Sequence, residues 1–164
     1  MARATRFWPA LVTLAAAVAF EIMPLPEMLQ TLRPPLPAMV LLYWVMMWPE
    51  RFGLLTAFIL GIVLDILHGQ LLGQNALALC MVTYTMVRFH LQIRIFPLWQ
   101  MTMTVFALLT LMTALQFVVE GMAGFGTIGL RRWPAVIFGT LLWQPVMALL
   151  DRVREQCETH TSNF

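Results

Sequence analysis

GLLTAFILGIVLDILHGQLLG, residues 53–73, places a small or acidic residue at every fourth position: Gly53, Ala57, Gly61, Asp65, Gly69 and Gly73. Between 54 and 67 the positions that break the series are apolar apart from Thr56. Residues four apart share one face of an α-helix. The spacing therefore predicts a smooth ridge bearing a single acid, on a helix otherwise coated with Leu, Ile, Phe and Val. In lipid, where helices associate by packing, such a ridge lets another backbone approach closely. A carboxylate on it is expensive at membrane depth and implies a partner. The pattern speaks of neighbouring helices more than of chemistry.

The rest of the chain has the same character. Of 164 residues, 60% are hydrophobic and 11% charged, and the mean hydropathy is +0.80; soluble domains carry roughly 25% charged residues. This is the composition of an all-α integral membrane protein, and the length allows one transmembrane domain, residues 1–164. The net charge of +2 comes from ten arginines and no lysine, with no basic run dense enough to hold nucleic acid. Cys80, in an apolar segment, and Cys157, in the polar tail, read as free thiols rather than a disulfide frame or a metal site.

Six apolar runs answer the need for about 17–25 residues per span: residues 7–24, 35–48, 52–68, 71–87, 98–119 and 133–150. Arg3 and Arg6 ahead of the first, and Ala17-Val18-Ala19 within it, resemble a signal peptide, but in a chain that is membranous throughout this run is expected to stay as a span. The second run is short and lies between Arg33-Pro34-Pro35 and Pro49, so a re-entrant loop is the alternative. Loop charges choose between them, because cytoplasmic loops collect arginine. Six spans with the N-terminus inside put Arg3, Arg6, Arg51, Arg88, Arg94, Arg152 and Arg154 inside, against Arg33, Arg131 and Arg132 outside. Six spans with both termini cytoplasmic follow. The longest outer connections are 25–34 and 120–132, the latter made irregular by Gly121, Gly124, Gly126 and Gly129. Trp48, Trp99 and Trp133 fall at predicted span ends, where indole rings favour the interface.

This topology gathers the embedded polarity at the outer ends of the spans: Glu21, Arg33, Asp65, Asn75, Gln116 and Glu120. Arg33 and Asp65, each about one turn from the same surface, are the expected ion pair; the alternative for Asp65 is to receive the exposed amides that start span four. The glycine ridge is expected to serve a helix contact within the chain rather than between chains. Glu21 and Glu120 read as solvated, His68 as an interfacial residue beside a turn, and the thirteen methionines as adaptable packing. No His-Glu-x-x-His, glycine-flanked serine nucleophile or phosphate-binding loop occurs. The sequence names no catalytic residue, no metal ligand and no cofactor.

An Arg33-Pro34 step before span two, six short-looped spans, and Gly61, Asp65, Gly69, Leu72 and Gly73 in a Gly-x-x-x-Asp-x-x-x-Gly-x-x-Leu-Gly pattern resemble the bacterial rod shape-determining MreD family. Pro35 departs from the Asp or Asn that many members carry after Arg-Pro. The resemblance implies a non-enzymatic scaffold of the cell-elongation and peptidoglycan-synthesis machinery in the inner membrane. Its implied partners are an MreC-like single-span protein and, indirectly, actin-like MreB and the glycan polymerase and transpeptidase pair; a homo-oligomer stays open. It also implies a fold similar to the S subunits of energy-coupling-factor transporters. From that likeness comes the alternative reading, a small-molecule-binding subunit of a vitamin-type transporter; Ala15 and Ala19, spaced to dock a helix, would serve either reading.

Overall fold

A computed structural model describes residues 8–23, 32–124 and 132–159. The chain is all-helical over these residues, with α1 at Trp8–Ile22, α2 at Leu36–Met47, α3 at Leu54–His68, α4 at Gln74–Ile95, α5 at Leu98–Met122 and α6 at Trp133–Thr159. One helix lies on each apolar run. The fourth and sixth are longer than their runs, because α4 carries on through Arg88 and α6 takes up the charged stretch from Asp151. The Ala17-Val18-Ala19 stretch lies inside α1. The irregular connection expected after Glu120 falls largely on 125–131, outside the described residues; up to Met122 the chain is still helical.

The short second run is the centre of the molecule. Every residue of α2 from Pro37 to Met46 is buried, and α2 packs against α1, α4 and α6. A helix that is apolar all round belongs in a core, and Leu36–Met47 has no polar side to present except the Tyr43 hydroxyl and the Trp44 indole. Both polar tips are satisfied: Trp44 Nε1 donates to Thr13 Oγ1 of α1 at 2.9 Å, and the Tyr43 hydroxyl donates to Asp151 Oδ1 of α6 at 2.5 Å. Trp48 stacks on Trp44 with ring centroids 4.8 Å apart. At about 1.5 Å per residue these twelve residues run roughly 18 Å, well short of a hydrocarbon core of about 30 Å. The other helices follow in sequence around it, α3 on α4, α4 on α5 and α5 on α6.

Cross-helix hydrogen bonds show that neighbours run in opposite directions. The start of α4 meets the end of α5 through Gln74 and Glu120, and the start of α1 meets the end of α2 through Thr13 and Trp44. Outward, the bundle is apolar: Leu55, Leu141 and Met122 are 73%, 74% and 86% exposed. Apolar patches of this extent mark a surface made for something other than water. Three helices, α4, α5 and α6, are long and apolar enough to cross a membrane, and α1, α2 and α3 are shorter apolar helices. The chain is a membrane protein. On α1 the buried stripe is Ala10, Leu14 and Ala17, whereas Ala15 and Ala19 are exposed and face outward from the helices among the described residues.

Candidate functional site

Residues 53–73 fold as a helix and a corner, not as one continuous ridge. Only Ala57, Gly61 and Asp65 of the period-four series are buried on α3, in a stripe with Leu60 and Leu64. At Gly61 the backbones of α3 and α4 touch: a Cβ there would lie 2.5 Å from the Ala76 amide nitrogen and closer still to Ala76 Cα. The ridge is spent on a contact within the chain. Gly69 and Gly73 serve a different purpose. Gly69 ends α3 in the left-handed region at φ 61°, with its amide on the Ile66 carbonyl and the Gln70 amide on the Asp65 carbonyl. Gly73, at φ 99°, opens α4. No atom stands within 4 Å of where a side chain would begin at Gly53, Gly69 or Gly73. A residue other than glycine is strained at 69 and 73 by conformation, not by crowding. Leu72, between them, is 71% exposed.

Asp65 is fully buried and holds this corner. Its Oδ2 accepts the Gly73 amide at 2.7 Å and its Oδ1 the Asn75 amide at 2.8 Å. Those are amides of the first turn of α4, which have no partner inside their own helix. A carboxylate opposite the positive end of a helix is favourable there, so α3 supplies the cap that α4 lacks. The expected ion pair of Asp65 with Arg33 is not made. The two amides take both oxygens of Asp65, while Arg33 donates through Nη2 to the Phe20 carbonyl and lies 5.8 Å over the Phe20 ring. The partner found is the alternative the sequence offered, the amides that start the fourth helix, eight and ten residues along the chain. Pro34 places its carbonyl 2.8 Å from the Leu36 amide and, with Pro35 and Pro37, starts α2.

Around this corner the ends of all six helices carry polar groups. Asn75 Nδ2 donates to Gln70 Oε1 at 3.1 Å, and Gln116 Nε2 donates to Asn75 Oδ1 at 2.6 Å. Gln74 Nε2 donates to Glu120 Oε1 at 2.8 Å, and Arg132 Nη1 pairs with the same oxygen at 2.8 Å. This chain of bonds ties the start of α4 to the end of α5 and to the residue before α6. Glu120 is therefore buried and doubly bonded, not solvated. Glu21, also read as solvated, is mostly buried and faces His68 Nε2 at 3.5 Å. Reading the chain span by span missed both, because neither partner lies in the same helix; three acids at a common depth beside Arg132 were the available signal. Between these groups lies a cavity of about 380 Å³, walled by Leu64, Met112 and Val136 and bearing Arg33, His68 and Gln116 among its polar groups. No group of three or more His, Cys, Asp or Glu that could hold a metal ion occurs among the described residues.

At the opposite end a smaller polar set joins α2 to α6. Asp151 accepts the Tyr43 hydroxyl and lies 3.7 Å from Arg154, whose Nη1 also reaches Met47 Sδ at 2.9 Å. The charged stretch from Asp151 continues α6. Its first acid anchors the core helix through the hydroxyl of Tyr43, a residue the sequence reading passes over inside an apolar run.

Comparison with known proteins gives one consistent result. The family model described as "rod shape-determining protein MreD" matches residues 1–153. A protein of Haemophilus influenzae named "Rod shape-determining protein MreD" is 30% identical over 147 residues, covering 88% of this chain and 89% of its own. No solved structure matches.

Proposed function

Because this chain belongs to the rod shape-determining MreD family, we propose that it is a non-enzymatic scaffold of the cell-elongation machinery in the bacterial inner membrane. The observation that carries this reading is the Asp65 corner. The one acid within the apolar third run has both oxygens bound to backbone amides, and Glu120 is likewise committed to Gln74 and Arg132. Polar groups held so firmly set helix positions; they are not poised to react. In this reading residues 1–164 form a single domain of six spans resembling a transporter S subunit, with both termini cytoplasmic. The alternating helix directions support it, as does the excess of arginines in the loops assigned to the inside.

The scaffold would hold an MreC-like single-span protein and, through it, actin-like MreB and the glycan polymerase and transpeptidase pair. With the Gly61 face occupied by α4, the outward Ala15 and Ala19 face of α1 is the smooth surface left for a partner helix. The transporter reading finds no support, since the matching family and the matching relative are both rod-shape proteins. Expression of the chain in rod-shaped cells depleted of their own family member tests the proposal. Restored rods are expected; cells that stay round while the protein is inserted and abundant would reject it.

A further inference from the structure

Arg88 stands at the middle of the outward face of α4. On a helix of about 3.6 residues per turn it lies opposite Leu79 and Met86, which are buried. It is exposed, and it forms no hydrogen bond or ion pair among the described residues. The stripe that carries it, Leu77, Met81, Tyr84, Arg88, Leu91 and Ile95, is exposed throughout. Its positions advance in alternate steps of four and three residues, the spacing of a helix–helix seam. The depth of Arg88 follows from the bonds that pair the start of α4 with the end of α5, Gln116 on Asn75 and Gln74 on Glu120. Counted down the two antiparallel helices from these bonds, Arg88 comes level with residues 103–106, where Met103 and Phe106 are exposed. Past Arg88 the helix runs on for about 10 Å to Ile95, and the hairpin end bears Leu91, Ile95, Leu98 and Trp99, all exposed. The stretch Gln74–Ile93, with Arg88 inside it, is apolar enough to cross a membrane. In lipid the guanidinium faces hydrocarbon without a partner, which is rare and costly. Set in water instead, the hairpin end leaves four large apolar side chains bare. Either depth leaves something uncovered.

We infer that this face of α4 docks a transmembrane helix of a different protein, one that carries an aspartate or glutamate opposite Arg88 and apolar residues a turn to either side. A carboxylate there neutralises the guanidinium through paired hydrogen bonds. The apolar residues cover Tyr84 on one side and Leu91 and Ile95 on the other. One polar position in an otherwise apolar seam fixes register and partner choice. A second copy of this chain does not fit, because laid parallel it brings Arg88 to Arg88. A phospholipid fits less well. With its phosphate on Arg88, its chains run toward Tyr84 and Leu77 and leave the hairpin end bare. This is a second surface, on a helix other than the one that bears Ala15 and Ala19. The inference deepens the scaffold reading, resting on it for a partner in the same membrane.

The full chain is expressed in rod-shaped cells depleted of their own family member, with a photo-crosslinking phenylalanine analogue in place of Tyr84, of Leu91 or, as a control, of Leu141, which is exposed on α6. Positions 84 and 91 are expected to form adducts with one and the same membrane protein, attached to either side of an Asp or Glu when mapped by mass spectrometry, and the control should not form them. Arg88→Glu should weaken the adduct at least about tenfold, since like charges then meet. Arg88→Lys should keep it, and changing the mapped acid to arginine should restore it to Arg88→Glu. Because Arg88 points away from the bundle, both variants should melt with wild type; if Arg88→Glu does not fold, Arg88→Gln reads the same loss. Three results would each overturn the inference: adducts with lipid alone, meaning that Arg88 reaches a phosphate instead, adducts with a second copy, or adducts indifferent to Arg88→Glu. Rod shape is scored separately. Restored rods without the adduct keep the scaffold and remove this docking face, whereas round cells with the adduct keep the face and reject the scaffold.

Discussion

Both oxygens of Asp65 are taken by amides of the next helix, so its replacement should be read in hydrogen bonds rather than in charge. Asp65→Ala strands two buried N–H groups at about 1–3 kcal/mol each. Asp65→Asn keeps one acceptor oxygen and should lose about half as much. Thermal melting of the detergent-purified protein should rank wild type above Asp65→Asn and Asp65→Asn above Asp65→Ala; equal melting of all three would mean that the corner contributes nothing. Since Arg33 and Asp65 share no partner, the double replacement Arg33→Ala with Asp65→Ala should equal the sum of the singles within about 0.5 kcal/mol. A rescue of either single by the other would restore the ion pair that their common depth suggested. The sequence did show that Asp65 needs a partner, because a bare acid in an apolar helix always does. The amides that start α4 stood beside Arg33 as its possible partners, and a left-handed glycine turn that brings them back over Asp65 decides for them.

At the scale of the helix, the glycines of residues 53–73 separate into two kinds that their regular spacing made look alike. Gly61 is excluded from bearing a side chain by the Ala76 backbone, whereas Gly69 has open space and a left-handed backbone at φ 61°. Gly61→Ala should therefore force α3 and α4 apart, with a destabilisation of about 1–3 kcal/mol as in an overpacked core. Gly69→Asn should melt near wild type, since asparagine tolerates the left-handed region, and Val63→Leu, on the exposed face, should be silent. Equal damage at 61 and 69 in the same melting experiment would show that one crowded face, not a face and a turn, runs through the motif. Period four was legible because small residues stand out against Leu and Ile; the helix end inside the motif was not, since Gly69 continues the period while breaking the helix. For α2 the reverse holds. Its proline-bounded apolar run identified the element, yet burial on every side appears only once α1, α4 and α6 surround it. Tyr43→Phe is the test of that enclosure. It removes the hydroxyl from Asp151 and should lower the melting temperature, and an unchanged melting temperature would mean that α6 does not depend on this anchor.

For the whole molecule, the apolar exterior and the family agree on a membrane protein of the rod-shape system, and both were foreshadowed by composition and by the Gly61 to Gly73 pattern. Six crossings, by three long helices and three short ones, are the expectation to test. A reporter active only in the cytoplasm should work when fused after Phe164 and after Arg94 and be silent when placed at 125–129. Activity at 125–129 would reverse the assignment of the polar end to the outside. The polar cluster was partly legible, since Glu21, Arg33, Asn75, Gln116 and Glu120 fall at one depth. Gln70 and His68 join it only through the packing of helix ends distant in sequence, and the pairing of Arg132 with Glu120 likewise. The claim that matters most is that this bundle exists to hold another protein. Tagged chain, expressed in cells whose rods depend on it and extracted in mild detergent, should carry an MreC-like single-span protein through purification, and Ala15→Leu with Ala19→Leu should release it while leaving the melting temperature intact. A chain that sustains rod shape yet purifies without any such protein would contradict the account.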